Sequence, residues 1–330
     1  MRMHESTRKS QPRTLPGIRI GHASDFRGLT GCTVILAESG AVCGVDIRGS
    51  AAGTRELAPC LPGHLAERIH AIFLTGGSAF GLDAAAGVMQ YLESRGVGFP
   101  AGRVRVPLVP SAVIFDLNLG SAKARPDPDM ALRACQRASS QVAEGSVGAG
   151  TGATVGKLLG IERSTKGGVG FESLALTGGV VVQALAVVNA FGDVVDPACG
   201  AVIAGARASH DAGQFVQTAA EMLRGKVRKA FGATNTTLVV VMTNAALDKV
   251  QATKVAQMAQ DGMARAISPV HTQFDGDLVF ALSIGQKLAD LDALGTAAAL
   301  ATAGAIVRAV RTAKGLGGVP SWSELAGRGQ

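Results

Sequence analysis

Phe231-Gly232-Ala233-Thr234-Asn235-Thr236-Thr237 runs straight into Leu238-Val239-Val240-Val241-Met242. A polar turn rich in hydroxyls thus stands before an aliphatic, β-branched run of the length of a buried strand. Downstream, apolar residues at 247, 250, 255, 258, 259, 263 and 267 predict an amphipathic helix over Leu247 to Ile267. A loop with His271, Asp275, Gly276 and Asp277 then leads to a second strand over Leu278 to Ile284, and a helix is expected from about Asp290 to Thr312. Strand, helix, strand, helix is the rhythm of a mixed α/β fold.

Working upstream, Gly168 to Asp196 reads as two long β runs turning at Gly178-Gly179, with Asn189 inside the second. Residues 207–230 are polar, with one modest apolar face, and suit a surface helix with a flexible end. Asp127 and Asp129 are good caps for a helix over Met130 to Glu144, and Ala112 to Leu117 is an expected strand. Ile72-Phe73-Leu74, then Thr75-Gly76-Gly77-Ser78-Ala79-Phe80-Gly81, then apolar residues at helical spacing up to Leu92 give strand, glycine turn and helix. Thr33 to Ala37 and Val42 to Arg48 flank Glu38-Ser39-Gly40-Ala41, a connection that suits a hairpin. With no internal repeat and no clear linker, residues 15–330 are expected to form one domain behind a basic tail of residues 1–14.

Composition narrows the function. The chain has 330 residues, 47% of them hydrophobic, but only 4% aromatic, with 44 glycines, so Ala, Val, Leu and Ile must build the core at close backbone approach. The net charge is +7, yet Arg2, Arg8, Lys9 and Arg13 against Glu5 place much of it in the tail. The other basic residues are scattered and one Trp and one Tyr cannot build a base-stacking surface, so nucleic acid is not expected as a partner. Five cysteines without CxxC pairing read as reduced thiols of a cytoplasmic protein, and no signal segment or run long enough to span a membrane is seen.

Three glycine motifs fall short of nucleotide or nucleophile signatures. Gly150 to Lys157 has Thr151 and Leu158 where a P-loop needs Gly and Ser or Thr, and Ala153 replaces the last glycine of a dinucleotide fingerprint. Gly77-Ser78-Ala79-Phe80-Gly81 misses the nucleophile-elbow spacing by one residue. His271, Asp275 and Asp277 could converge on a metal, but an Asp-Gly-Asp turn before a strand explains them more simply, and no metal or cofactor is expected.

Taken together, six segments resemble the P1 family of self-cleaving amidases, which groups β-aminopeptidases, DmpA-type aminopeptidases and nylon-oligomer hydrolases. They are Gly17 to His22, Gly53-Thr54-Arg55-Glu56, Leu74 to Leu82, Gly148 to Ala153, Asn235-Thr236-Thr237 and Asp275-Gly276-Asp277, in the family's order over roughly residues 15 to 315. The resemblance implies a four-layer αββα sandwich of the α/β class, like that of the N-terminal nucleophile hydrolases. It also implies self-cleavage between Asn235 and Thr236 into an α chain of 1–235 and a β chain of 236–330. Thr236 would then be nucleophile and, through its freed α-amine, base. By position Lys157 and Asn189 match supporting residues, Asn189 as an oxyanion donor, and Asp275 and Asp277 match an acidic pair that holds Thr236, with Asp277 the direct partner.

The chain departs from DmpA-type relatives in having Thr at the nucleophile and in lacking a Tyr near the glycine cluster, since Tyr91 lies on an expected helix; Ser50-Ala51-Ala52 also replaces a Gly/Pro turn. The implied activity is hydrolysis of amide bonds in small peptides or non-standard amides. An acyltransferase of the ornithine acetyltransferase type using the same Thr, and an uncleaved ligand-binding protein, are the alternatives. The family also implies a homo-oligomer, for instance a tetramer of αβ heterodimers.

Overall fold

The alternation of apolar side chains in each long strand sends successive residues to opposite faces, and both faces are covered. The computed structural model describes residues 11–210, 213–225 and 235–326. Residues 1–10 of the basic tail, residues 226–230 of the expected surface helix and residues 231–234 of the turn before Asn235 lie outside the described residues. The main strands are β1 (Arg19–Asp25), β2 (Thr30–Ile47), β3 (Ile69–Thr75), β4 (Ser111–Val113), β5 (Gly168–Ala175), β6 (Val181–Asn189), β7 (Thr236–Ala245) and β8 (Leu278–Lys287). The main helices are α1 (Ala85–Glu93), α2 (Pro128–Gln136), α3 (Lys249–Ala266) and α4 (Leu291–Thr312).

Strand order is β5-β6-β7-β8-β2-β3-β4, with β1 paired to the first half of β2. The sheet is folded into two layers at β2. Residues 30–36 of β2 pair with β1 and β3, whereas residues 42–47 pair with β8. Between them the register shifts, and Gly40 adopts φ 84°, open to glycine at little steric cost. This corrects the expected hairpin at Glu38 to Ala41: a single strand bends there and serves both layers, because its two halves find different partners.

Inside the sandwich, Ile35, Ile72 and Leu74 of one layer meet Leu185, Leu238, Val240 and Phe280 of the other. The outward-facing Val34, Leu36 and Phe73 pack under Val88, Leu92 and Met130 of α1 and α2. On the opposite side, Val239, Val241, Val279 and Ala281 pack under Ala256, Ala259, Met263, Ala301 and Ile306 of α3 and α4. The result is the four-layer αββα sandwich. Small residues set the spacing of the outer layer: a Cβ at Gly262 of α3 would stand 1.9 Å from the Ala299 carbonyl oxygen of α4.

The hairpin at Gly178-Gly179 forms as expected, and β7 and β8 run parallel across the α3 connection, with Leu238 opposite Leu278. Asp248 caps α3 in a full capping box with Gln251. Helix α2 stops at Gln136 instead of Glu144: Asp127 caps its start, but Ser139 exchanges main-chain hydrogen bonds with Ile20 of β1, a polar exit that competes with the helix. In the region expected as a surface helix, the described helical residues are Thr218–Leu223. Pro12 and Thr14 of the N-terminal segment bond to Val142 and Ser140.

By length and composition α4 could cross a membrane, against the expectation that no run is long enough to span one; 67% of its most apolar stretch is buried, as in a core helix. Four cysteines are buried and Cys199 is exposed, all as free thiols.

Candidate active site

Strand β7 begins at Thr236, between the ends of β6 and β8, so the three strand termini gather the polar residues there. Asn189, the last residue of β6, lies opposite Thr236, the first residue of β7. On the other flank Asn235 makes a parallel bridge to Asp275, just before β8. Asn235 and Thr236 are almost fully buried, at 0% and 3% exposure.

The Asn235 carbonyl oxygen is the focus of the hydrogen bonding. It accepts from Thr236 Oγ1 at 2.5 Å and from the Gly276 N–H at 2.7 Å, while the Asn235 N–H donates to Phe274 O at 2.8 Å. A hydroxyl thus lies against the carbonyl group preceding it, and a backbone donor holds the same oxygen.

The Asp275-Gly276-Asp277 turn is braced from two directions. From β2 and the residues after it, Arg48 and Gly49 donate their N–H groups to Asp277 O and Ala51 donates to Asp275 O, all at 2.9–3.1 Å. Its carboxylates are also engaged. Asp277 Oδ1 accepts the Thr237 N–H at 2.7 Å, and Oδ2 accepts from His271 Nδ1 at 3.0 Å and the His271 N–H at 3.1 Å. Asp275 accepts from Thr272 Oγ1 at 2.5 Å, the Thr272 N–H at 3.1 Å and the Phe191 N–H at 3.2 Å. Burial pushes the Asp275 carboxyl up to about 6, helped by the charge of Asp277 and opposed by these donors.

Lys157 Nζ donates to Asn189 Oδ1 at 2.7 Å and Asn189 O at 2.9 Å. The Thr154 N–H joins it on Asn189 Oδ1, and Asn189 Nδ2 donates to Phe115 O at 3.1 Å. Lys157, Thr154, Gly152, Phe115 and Asp116 line one small recess. A larger hollow of about 370 Å³, between Arg207 and residues 315–320, contains none of the residues around Thr236.

Beneath the glycine cluster lies a second, wholly buried cation. Lys166 Nζ donates to the carbonyls of Gly150, Ala153 and Gly167, and burial lowers its ammonium to about 7 against the pull of Asp116. Asp116 in turn accepts from Thr30 Oγ1 and the Gly77 N–H, both at 2.7 Å, so the carboxylate that attracts Lys166 also holds the glycine turn after β3.

The sequence-derived residues therefore gather around one strand end, although not in every contact expected of them. Asn235, Thr236, Asn189, Asp275 and Asp277 are near neighbours, and Lys157 is one hydrogen bond away through Asn189. In the continuous chain Asp277 holds the N–H of Thr237 rather than the side chain of Thr236, and the Asn189 amide is directed to Phe115 O. Tyr91 lies on α1 and its hydroxyl accepts from Arg19. The structure adds two groups that the sequence left aside, the Gly276 N–H and the Phe115 carbonyl, and gives His271, weighed there only as a metal ligand, a place against Asp277. His271 was legible as a polar residue near the turn, but main-chain donors and acceptors carry no side-chain signature. Among the described residues no cluster of three or more His, Cys, Asp or Glu side chains could hold a metal ion.

Comparison with known proteins agrees with this architecture. An uncharacterized aminopeptidase of Mycobacterium tuberculosis is 41% identical over 94% of this chain and 96% of its own length. A 6-aminohexanoate-oligomer endohydrolase of Kocuria is 34% identical over 81% of this chain and 73% of its own. Among solved structures, a Burkholderia β-aminopeptidase superposes with a TM-score of 0.65 at 22% identity, covering 96% of this chain and 94% of that one. The L-aminopeptidase D-Ala-esterase/amidase of Ochrobactrum anthropi, described as a variant of the Ntn hydrolase fold, gives 0.69 at 17% identity over 93% and 87%. Residues 14–321 match the profile of peptidase family S58. With the sandwich, the ordered motifs and these relatives in agreement, the chain belongs to peptidase family S58, hydrolases acting on amide or peptide bonds.

Proposed function

We propose that the protein cuts its own backbone between Asn235 and Thr236 and then uses Thr236 as an N-terminal nucleophile on small peptides or non-standard amides. The carrying observation is the 2.5 Å contact of Thr236 Oγ1 with the Asn235 carbonyl oxygen at a buried strand start. In the first stage Oγ adds to that carbonyl carbon, the C–N bond to Thr236 breaks, and the proton given up by Oγ passes to the departing nitrogen. Water then hydrolyses the resulting ester, leaving the Asn235 carboxylate and a free Thr236 amine.

That amine changes what the hydroxyl can do. A neutral α-amine, with a pKa of about 8, can take the Oγ proton as the hydroxyl attacks a substrate amide, and can return it to the leaving amine. An acyl-enzyme on Thr236 forms, and water releases the acid. Lys157 and Asn189 stand on one side of Thr236 to counter developing negative charge, and Asp275 and Asp277 on the other to hold the ammonium formed in the cycle. The relatives named as aminopeptidases and as a 6-aminohexanoate-oligomer endohydrolase support small amides as the substrate class.

Electrophoresis and N-terminal sequencing of the purified protein test this directly. Two chains are expected, the smaller beginning at Thr236, and Thr236→Ala should leave one inactive chain. An intact wild-type chain with full amidase activity, or an active Thr236→Ala variant, would overturn the proposal.

A further inference from the structure

We infer that the backbone N–H of Gly276 is the oxyanion donor of the self-cleavage step, a group separate from the side chains that serve the substrate. The inference rests on the reading of Thr236 as a self-cleaving nucleophile. As Oγ bonds to the Asn235 carbonyl carbon, the π pair of the carbonyl moves onto its oxygen. When the tetrahedral centre collapses, that pair re-forms the C=O bond and the C–N bond to Thr236 breaks, its nitrogen taking the proton that Oγ gave up. For the lifetime of that centre the full charge sits on the oxygen that the Gly276 N–H already holds at 2.7 Å in the intact peptide, so a donor is in place before the charge develops.

Three features distinguish this contact from an ordinary continuation of the β7–β8 ladder. First, the same oxygen carries the nucleophile: Thr236 Oγ1 is 2.5 Å from it. Second, the donor is fixed from behind. Ala51 donates to the Asp275 carbonyl of the same peptide unit, and Arg48 and Gly49 donate to the carbonyl of Asp277, one residue on, so the N–H stays in place as the Asn235 carbon becomes tetrahedral. Third, position 276 has room only for hydrogen: a Cβ there would stand 2.8 Å from Thr236 Oγ1 and 2.8 Å from Ala51 O. The side-chain donor nearest by register, Asn189 Nδ2, is meanwhile bonded to Phe115 O. Maturation and turnover would thus place their negative charges on different donors.

Replacing Gly276 by glycolic acid during in vitro translation of the full chain converts one amide to an ester, which removes this N–H and leaves the Asp275 carbonyl a weaker acceptor for Ala51, a weakening that an ester at Val241 imposes equally on the Val240 carbonyl. The chain should then mature at least about 100-fold more slowly than the all-amide chain, followed as appearance of the two fragments on a gel. 2-Hydroxyisovaleric acid in place of Val241, deep in β7, removes a sheet N–H far from the scissile bond and should leave the rate within about threefold. A glycolate chain that matures at the unmodified rate overturns the inference while leaving self-cleavage intact; so do two esters that slow maturation equally, since the bond is then only structural. An all-amide chain that stays whole defeats the proposed function itself, and this inference with it.

Discussion

As the proposed nucleophile, Thr236 would need its hydroxyl for chemistry and its methyl only for packing, so the two halves of the side chain are separable. Thr236→Ser should still cut at Asn235, whereas Thr236→Ala should not, and gel analysis of freshly purified protein distinguishes them. Lys157→Met leaves both oxygens of Asn189 without their cation and should lower amide turnover about 100-fold, measured as kcat on the cleaved enzyme. A third residue sets pH behaviour. Asp193 is buried, accepts from the Ala206 N–H and from Thr218, and burial raises its carboxyl to about 6 from 3.8. The folded protein thus keeps a proton that the unfolded chain releases between those values, so the contribution of Asp193 to stability falls as pH rises through the window, by roughly 1–3 kcal/mol. Urea unfolding at pH 4 and 7, in a Thr236→Ala background, should show the change in stability between the two pH values to be less favourable with Asp193 than with Asp193→Asn by about that amount, the other buried titrating groups, Asp275 among them, contributing equally to both chains. At this scale the sequence was informative where side chains carry the pattern, as at Thr236, Asp275 and Asp277. It was silent on the Gly276 N–H, which any residue but proline possesses.

Elements with one strong period were legible. α3 has its apolar stripe and capping box, and β7 and β8 are aliphatic enough that only a buried strand suits them. The hairpin reading of β2 failed because Glu38 to Ala41 has the composition of a turn, and composition does not say whether a bulge or a reversal results; only the pairing of each half with a different layer decides it. Helix α2 was read too long because Ser139, Ser140 and Gln141 are compatible with a helix until Ile20 of β1 pairs with Ser139 and Thr14 and Arg13 of the N-terminal segment pair with Ser140 and Gln141. Packing between helices was hidden for a similar reason. Gly262→Ala replaces a poor helix former with a good one, worth about 1 kcal/mol in favour, yet its Cβ would meet the Ala299 carbonyl. Overpacking of that kind costs roughly 1–3 kcal/mol or more, so the variant should be less stable, seen as a thermal midpoint several degrees lower in the Thr236→Ala background.

Over the whole molecule, the layering follows from strands that are apolar on both faces, a pattern visible in Val239-Val240-Val241 and in Ile72-Phe73-Leu74 before any contact is known. Which layer each strand joins was not visible, because strand order depends on pairings between residues far apart in sequence. That order, β6-β7-β8-β2, has a consequence for inheritance of the two fragments. A cut after Asn235 would leave β7 and β8 in one polypeptide, wedged between β6 and β2 of the other. The fragments would be lifelong partners, each half matched to the half it was translated with. When isotopically heavy and light preparations are mixed, native mass spectrometry should find no heterodimer that combines a heavy α chain with a light β chain unless the protein is first unfolded.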